Sequence, residues 1–247
     1  MPDKAMILAA GSGTRLRPLT DRVPKAMVPV AGKPVLQYAV ERLRDCGVRE
    51  IAINLCHLSE VVMDHFGDGA AWGVKIHYSV EQEALGTAGG VKRVAELFDG
   101  PFFVWYGDNL SSIDLAALYR LHRARGAVAT MALCHWEYVS ASGIVGLDAE
   151  GRITRFLEKP TPEQVFSHWI NAGIYVLEPQ VLEAIPQESF YDFGRDLFPA
   201  LLDRGDPLYG YQMSGNERLW LIDTPAYLEK VERELNPPSG PGLGKWD

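Results

Sequence analysis

Apolar runs alternate with amphipathic stretches through the first half of the chain. AMILAA (residues 5–10) is unbroken, as expected of a strand buried on both faces. PVLQYAVERLRDCG (34–47) has the helical period instead. Leu36, Ala39, Val40 and Leu43 fall on one face, Pro34 suits the first turn and Gly47 can close the last. EIAINLC (50–56) then predicts a strand, LSEVVMDHFGDG (58–69) a helix opened by Ser59, and VKIHYSV (74–80) a strand. TAGGVKRVAELF (87–98) predicts a helix with Thr87 near its start. PFFVWYGDN (101–109) predicts an apolar strand with a polar tip, and DLAALYRLHRARG (114–126) a helix capped by Asp114. Strand and helix in strict turn imply a mainly parallel sheet with helices on both faces.

After about residue 127 the texture changes. AVATMALCHW, GIVGLDAEGRITRFLEKP and WINAGIYVLEP predict strands, the middle one a hairpin around DAEG. Helices are expected at 179–185 and 193–203, a strand at PLYGYQM (207–213) and a last helix at TPAYLEKVEREL (224–235). There is no internal repeat and no linker. The expected fold is a Rossmann-like three-layer α/β/α domain over residues 1–235, with a mostly parallel central mixed sheet. NPPSGPGLGKWD (236–247) is rich in Pro and Gly and predicts a flexible tail.

Composition narrows the function classes. The 247 residues suffice for a buried core, and the formal charge of −8 argues against a general nucleic-acid or membrane surface. An anionic small molecule stays open, because a pocket responds to local charge. Cys46, Cys56 and Cys134 form no CxxC pair and read as reduced thiols of a cytoplasmic protein, not as a disulfide frame or zinc site. The polar start predicts no leader peptide, and no run approaches the roughly 20 apolar residues of a membrane span.

Against that acidic background, LAAGSGTRLRPLTDRVPK (8–25) concentrates Arg15, Arg17, Arg22 and Lys25 after the first strand. Ligands of open α/β sheets bind at the carboxyl ends of strands. Gly11 and Gly13 let the backbone curl there into a nest of N–H groups, and Arg15 and Lys25 add full charges suited to phosphate. The loop is neither a P-loop nor a dinucleotide fingerprint, whose last glycine is replaced by Leu16. A glycine turn with a solvated basic loop is the plainer alternative. Polyphosphate chemistry calls for carboxylates that can hold Mg²⁺. Asp108 at a strand tip and Asp223 before the last helix are candidates, with a turn residue and a helix cap as their ordinary readings. Glu158 and Lys159 (RFLEKP) suit sugar hydroxyls and a phosphate, or form an exposed charge pair. Asn171 suits a sugar contact or a satisfied core amide. Gly86, Gly89 and Gly90 suit a flat base, or a helix start capped by Thr87.

Taken together, LAAGSGTRLRPLTDRVPKAMVPVAGKP, EALGTAGG, the Gly-Asp at 107–108, SGIV, EKP and NAGIYVL resemble, in order, the motifs of the sugar-1-phosphate nucleotidylyltransferases. The resemblance spans about residues 5–235. It implies Mg²⁺-dependent transfer of a nucleotidyl group from an NTP to a sugar 1-phosphate, releasing pyrophosphate. By this resemblance Leu8, Ala10, Gly11, Ser12, Gly13, Thr14 and Arg15 cradle the nucleotide. Glu81, Leu85, Gly86 and Thr87 contact its base and nucleoside. Arg15, Lys25 and Asp108 are catalytic, and Asp108 and Asp223 bind the metal. Gly143, Glu158, Lys159 and Asn171 bind the sugar phosphate. One departure stands out: the family's W-x-D-x-G-T-P is here Trp220-Leu221-Ile222-Asp223-Thr224-Pro225, with the Asp one residue later and no glycine. The chain ends soon after its final helix, so no long regulatory or acyltransferase extension is expected, and a homo-oligomer is left open.

Guanine's two donors would suit the Glu81 carboxylate better than the single donor of uracil or thymine. This favours GTP with a mannose- or heptose-type 1-phosphate. The alternatives are dTTP or UTP with glucose or N-acetylmuramate 1-phosphate, or a binding module of the same fold that has lost catalysis.

Overall fold

The structure is a computed structural model that describes residues 1–236; most of the tail segment at 236–247 lies outside the described residues. In chain order the first half holds β1 (Lys4–Leu8), β2 (Pro29–Val30), β3 (Lys33–Pro34), α1 (Val35–Asp45), β4 (Glu50–Leu55), α2 (Ser59–Phe66), β5 (Lys75–Val80), α3 (Gly86–Arg93), β6 (Phe102–Tyr106), β7 (Asn109–Ser111) and α4 (Leu115–Arg125). The second half holds β8 (Ala129–His135), β9 (Gly143–Leu147), β10 (Ile153–Glu158), β11 (Trp169–Leu177), α5 (Phe198–Asp203), β12 (Leu208–Gln212), β13 (Leu219–Leu221) and α6 (Pro225–Leu235).

Nine strands form one sheet. Its main path runs β10-β9-β11-β6-β1-β4-β5, with β8 against β11 and β12 against β8. The β5, β4, β1 and β6 neighbours are all parallel, as strict strand–helix alternation requires. From β11 onward most pairings turn antiparallel, including the β9–β10 hairpin. The period of two along β1 divides the core. Ala5 and Ile7 face a cluster with Leu36, Leu43, Val62 and Phe66 of α1 and α2. Met6 and Leu8 face a second cluster with Ala88, Val91, Phe198 and Leu201 of α3 and α5. Helices therefore cover both faces. The expected cap on α4 is present, with Asp114 Oδ1 accepting from Ala117 N at 2.8 Å.

Some expected helices differ in detail. The helix expected over 87–98 ends at Arg93, followed by a separate turn at Ala95–Leu97. Pro179–Ala184 winds as a 3₁₀ helix, and Phe193–Leu197 as one wide turn leading into α5. Two short antiparallel ribbons were not apparent from the pattern. In β2–β3, Val30 pairs with Lys33 across Ala31 and Gly32, both at positive φ, which is a two-residue hairpin turn. In β7–β13, Asn109 pairs with Leu221. Leu16, Val30, Leu110, Ile222 and Val231 fill a third apolar cluster linking these ribbons to α6. No described helix is long and apolar enough to cross a membrane.

Candidate active site

The β7–β13 ribbon decides where two carboxylates go. Because Asn109 pairs with Leu221, Asp108 just before one strand and Asp223 just after the other are carried to the same end of the ribbon. The turn bearing Asp108 is fixed by its backbone. Gly107 N donates to Leu8 O at 2.9 Å, Trp105 Nε1 donates to Asn109 O at 3.0 Å, and Asn109 Nδ2 donates to Ala172 O at 3.0 Å. A Cβ at Gly107 would lie 2.9 Å from Ile7 Cγ2, so only glycine lets this turn sit against the end of β1. Asp223 is not the cap of α6. Thr224 takes that role through Tyr227 N, leaving the Asp223 carboxylate to meet Lys25 and Arg15. The one-residue departure in its motif therefore does not remove Asp223 from the site.

Both carboxylates meet one ammonium. Lys25 Nζ lies 2.5 Å from Asp108 Oδ2 and 2.7 Å from Asp223 Oδ1, and an Arg15 guanidinium nitrogen lies 3.0 Å from the same Asp223 oxygen. Lys25 is 8% exposed. Burial alone disfavours its charge, but attraction and hydrogen bonds from Asp108 and Asp223 outweigh that and raise its pKa above the ordinary lysine value. Gly13 makes room for it: at φ +61, an added Cβ would stand 2.9 Å from Lys25 Cβ and 3.0 Å from Thr20 Cγ2. Leu16, which spoils the dinucleotide fingerprint, is buried and anchors this loop in the third cluster. Arg17 pairs with Asp21 on the surface.

The loop between β5 and α3 forms the facing wall. Glu81 lines the cleft but is only 2% exposed. Its Oε1 accepts from Asn54 Nδ2 at 2.8 Å and its Oε2 from Leu85 N at 2.9 Å, while Asn54 Oδ1 accepts from Ala9 N at 2.9 Å. The carboxylate thus joins the β1 loop to this wall, with one acceptor position on each oxygen used in doing so. The nearby glycines admit close packing from behind the wall. A Cβ on Gly86 would lie 2.6 Å from Tyr191 O, and one on Gly89 2.7 Å from Ser189 O. Tyr191 O, not Thr87, satisfies the start of α3 by accepting from Ala88 N and Gly89 N, both at 2.9 Å. Thr87 Oγ1 donates to Asp192 Oδ2 at 2.8 Å and accepts from Phe193 N at 2.8 Å.

At the opposite end, the Glu158 side chain is cradled by two glycines. A Cβ on Gly143 would lie 2.7 Å from Glu158 Oε2, and one on Gly194 2.6 Å from it. Burial first, and Asp192 next, push the Glu158 carboxyl above its usual range, against Lys159 and Arg195. Asn171 is held within the fold, donating to Tyr175 Oη at 2.7 Å and accepting from Gly173 N at 2.9 Å.

These residues surround a cleft of about 420 Å³ at the carboxyl ends of the parallel strands. Of the expected site residues, Leu8, Ala10, Gly11, Arg15, Lys25, Glu81, Gly86, Thr87, Asp108 and Lys159 line it. Ser12, Gly13, Thr14, Leu85, Gly143, Glu158, Asn171 and Asp223 are outside its immediate lining. Asn54, Tyr106 and Asp192 line it without having been anticipated. Asn54 sits inside an apolar strand run, a signal of a buried polar role that was available in EIAINLC. Among the described residues no group of three or more His, Cys, Asp or Glu is placed to hold a metal.

Residues 4–246 match the family described as nucleotidyl transferase, and the chain belongs to it. It is 45% identical over 224 residues to a UTP–glucose-1-phosphate uridylyltransferase of Synechocystis sp., covering 85% of this chain and 58% of that protein. It is 41% identical over 209 residues to the mannose-1-phosphate guanylyltransferase of Mycobacterium tuberculosis, covering 84% of this chain and again 58% of the relative. The chain thus spans less than two thirds of the length of these relatives. Among solved structures, a UDP-glucose pyrophosphorylase complexed with UDP-glucose shares the fold with a TM-score of 0.82 at 22% identity, covering 95% of this chain and 98% of that one. HddC from Yersinia pseudotuberculosis does so with 0.79 at 24% identity, covering 95% and 100%.

Two glycines of one loop are expected to behave differently. Gly13→Ala forces a left-handed backbone onto alanine and presses on Lys25, so unfolding in urea should show a loss of about 1–2 kcal/mol. Gly11→Ala meets nothing within 4 Å and should stay within about 0.5 kcal/mol of the parent. Equal losses would contradict the assigned role of Gly13.

Proposed function

We propose that this chain transfers a nucleotidyl group from an NTP to a sugar 1-phosphate, releasing pyrophosphate. The observation that carries the reading is the Lys25 ammonium held between Asp108 and Asp223, at the strand ends, beside a glycine loop that offers Arg15. Two polyanions must be brought together there. Their mutual repulsion is the obstacle, and positioned charge at the reacting phosphorus is the remedy.

Gly11 and the adjoining backbone offer an unobstructed anion cradle, and Arg15 at its rim adds a planar fork for phosphate oxygens. Lys25 neutralises charge at the α-phosphate as the sugar phosphate oxygen attacks in line and pyrophosphate leaves. Lys159 holds the sugar phosphate, and Glu158 accepts from sugar hydroxyls. The donor set fits Mg²⁺: Asp108 and Asp223 present hard oxygens to one cation-sized point, and one or two carboxylates completed by phosphates and waters is that ion's usual shell. When bound, it would add charge neutralisation at the reacting phosphate. Base discrimination falls to the β5–α3 wall, where Glu81 lines the cleft beside backbone groups of Gly86 and Thr87. The three free cysteines suit a cytoplasmic setting.

Pyrophosphate release across the four NTPs and a panel of neutral and acidic sugar 1-phosphates tests the reading. UTP and GTP, the donors named for the relatives, are the first pair to compare. Turnover with at least one combination is expected; nucleotide binding without turnover in any would instead mark a binding module.

Lys25→Ala should lower kcat by at least a hundredfold, because it removes the buried charge at the reacting centre. Lys33→Ala should leave kcat within about twofold, since Lys33 is 45% exposed and pairs with Glu41 on the surface. Similar losses in the two would contradict the assignment.

Asp108→Asn keeps the side-chain shape and removes one anionic oxygen. Expected are a rate loss of two or more orders of magnitude and a rise in the Mg²⁺ concentration needed for half-maximal rate, with the unfolding midpoint little changed. Unaltered metal dependence would remove Asp108 from the metal site.

A further inference from the structure

At the end of the cleft nearest Glu158, which stands just outside its lining, a second carboxylate meets the open space. Asp192 lines the cleft and is fixed on two sides. Its Oδ2 accepts from Thr87 Oγ1 at 2.8 Å, and its Oδ1 accepts from Gly194 N at 2.9 Å and Arg195 N at 3.2 Å. Gly194 in turn abuts Glu158, so one residue joins the two acids: its N–H holds Asp192 and its missing Cβ admits the Glu158 oxygen. A third acid, Asp196, accepts from Asp192 N at 2.8 Å.

We propose that this end of the cleft selects neutral, hydroxyl-bearing sugar 1-phosphates over sugars that carry a carboxylate, with Asp192 as a specificity-determining residue beside Glu158. The inference rests on the nucleotidyl-transfer reading above. Ionised carboxylates only accept hydrogen bonds. A sugar hydroxyl donates to them, whereas a sugar carboxylate brings no donor and a like charge. The opposing cations do not cancel this. Lys159 is committed to the substrate phosphate, and Arg195 is exposed, where solvent and salt screen it. The same balance is visible in Glu158 itself, whose carboxyl is held above its usual range by burial and then by Asp192, despite both cations.

The test uses the full chain, the NTP that gives the highest turnover, and size-matched sugar pairs: glucose against glucuronate 1-phosphate, and mannose against mannuronate 1-phosphate. The kcat/KM for the neutral member of each pair should exceed that of the acidic member at least tenfold, mainly through KM. Asp192→Asn retains the acceptor for Gly194 and Arg195 and should narrow the ratio at least threefold. The ratio within one variant is the readout, so a general loss of activity does not obscure it. If Asp192→Asn fails to fold, Glu158→Gln should narrow the same ratio. Acidic sugars used as well as neutral ones, or a ratio unmoved in the folded variant, would overturn the inference alone. No turnover across the whole NTP and sugar 1-phosphate panel would overturn the transferase reading and this inference with it.

Discussion

The Lys25 ammonium and the two carboxylates around it require one another. Asp108 and Asp223 brought to one point without a cation would repel, and Lys25, buried as it is, would be an uncompensated charge without them. Satisfying this arrangement ties together the loop after β1, the tip of β6 and the segment leading into α6. The contacts span 83 residues between Lys25 and Asp108 and 198 between Lys25 and Asp223. The apolar cluster of Leu16, Leu110, Ile222 and Val231 serves the same elements. Burying such side chains contributes roughly 1.5–3 kcal/mol each. That gain helps offset the desolvation of the charges.

A second polar link follows from the parallel sheet. Strands that run in the same direction end together, leaving loops whose backbone groups lack ladder partners. Asn54 and Glu81 satisfy part of that edge by joining Ala9 N to Leu85 N through buried side chains. One wall of the cleft is therefore held by hydrogen bonds that a buried carboxylate and amide cannot give up cheaply. Glu81 thereby holds the wall in shape while still lining the cleft.

What was legible in the sequence was whatever leaves a period or a local rule. The 3.6-residue face of α1, the unbroken apolar run of β1 and the Asp114 cap are local, and each appears where its pattern lies. Asp108 was legible as the polar tip of an apolar strand. The convergence of Asp108 with Asp223 was not, because it depends on the three-residue pairing of β7 with β13, too short to show a period. What the glycines of α3 pack against was not legible for a related reason. A missing Cβ signals close approach, but not by what, and here the approaching groups are the Tyr191 and Ser189 carbonyls. Asp192 escaped notice because the strap carrying it has neither helical nor strand periodicity, and its partners Thr87 and Gly194 are set by tertiary packing.

The basic island in an acidic chain acquires a physical meaning once the cleft is divided along its length. In the nucleotidyl-transfer proposal Arg15 and Lys25 take phosphate oxygens, while Asp192, with Glu158 next to it, and Lys159 take the sugar 1-phosphate. A sugar 1-phosphate is itself divided, with its negative charge at one end and its hydrogen-bond donors at the other. Matching the two gradients orients the substrate before any group makes close contact: the phosphate is drawn toward the cations and the hydroxyls toward the acceptors. The reverse pose sets phosphate against carboxylates and leaves the ammonium without a new partner. Orientation of this kind requires separated charges held at fixed positions, which is what the buried Lys25 triad and the doubly anchored Asp192 provide.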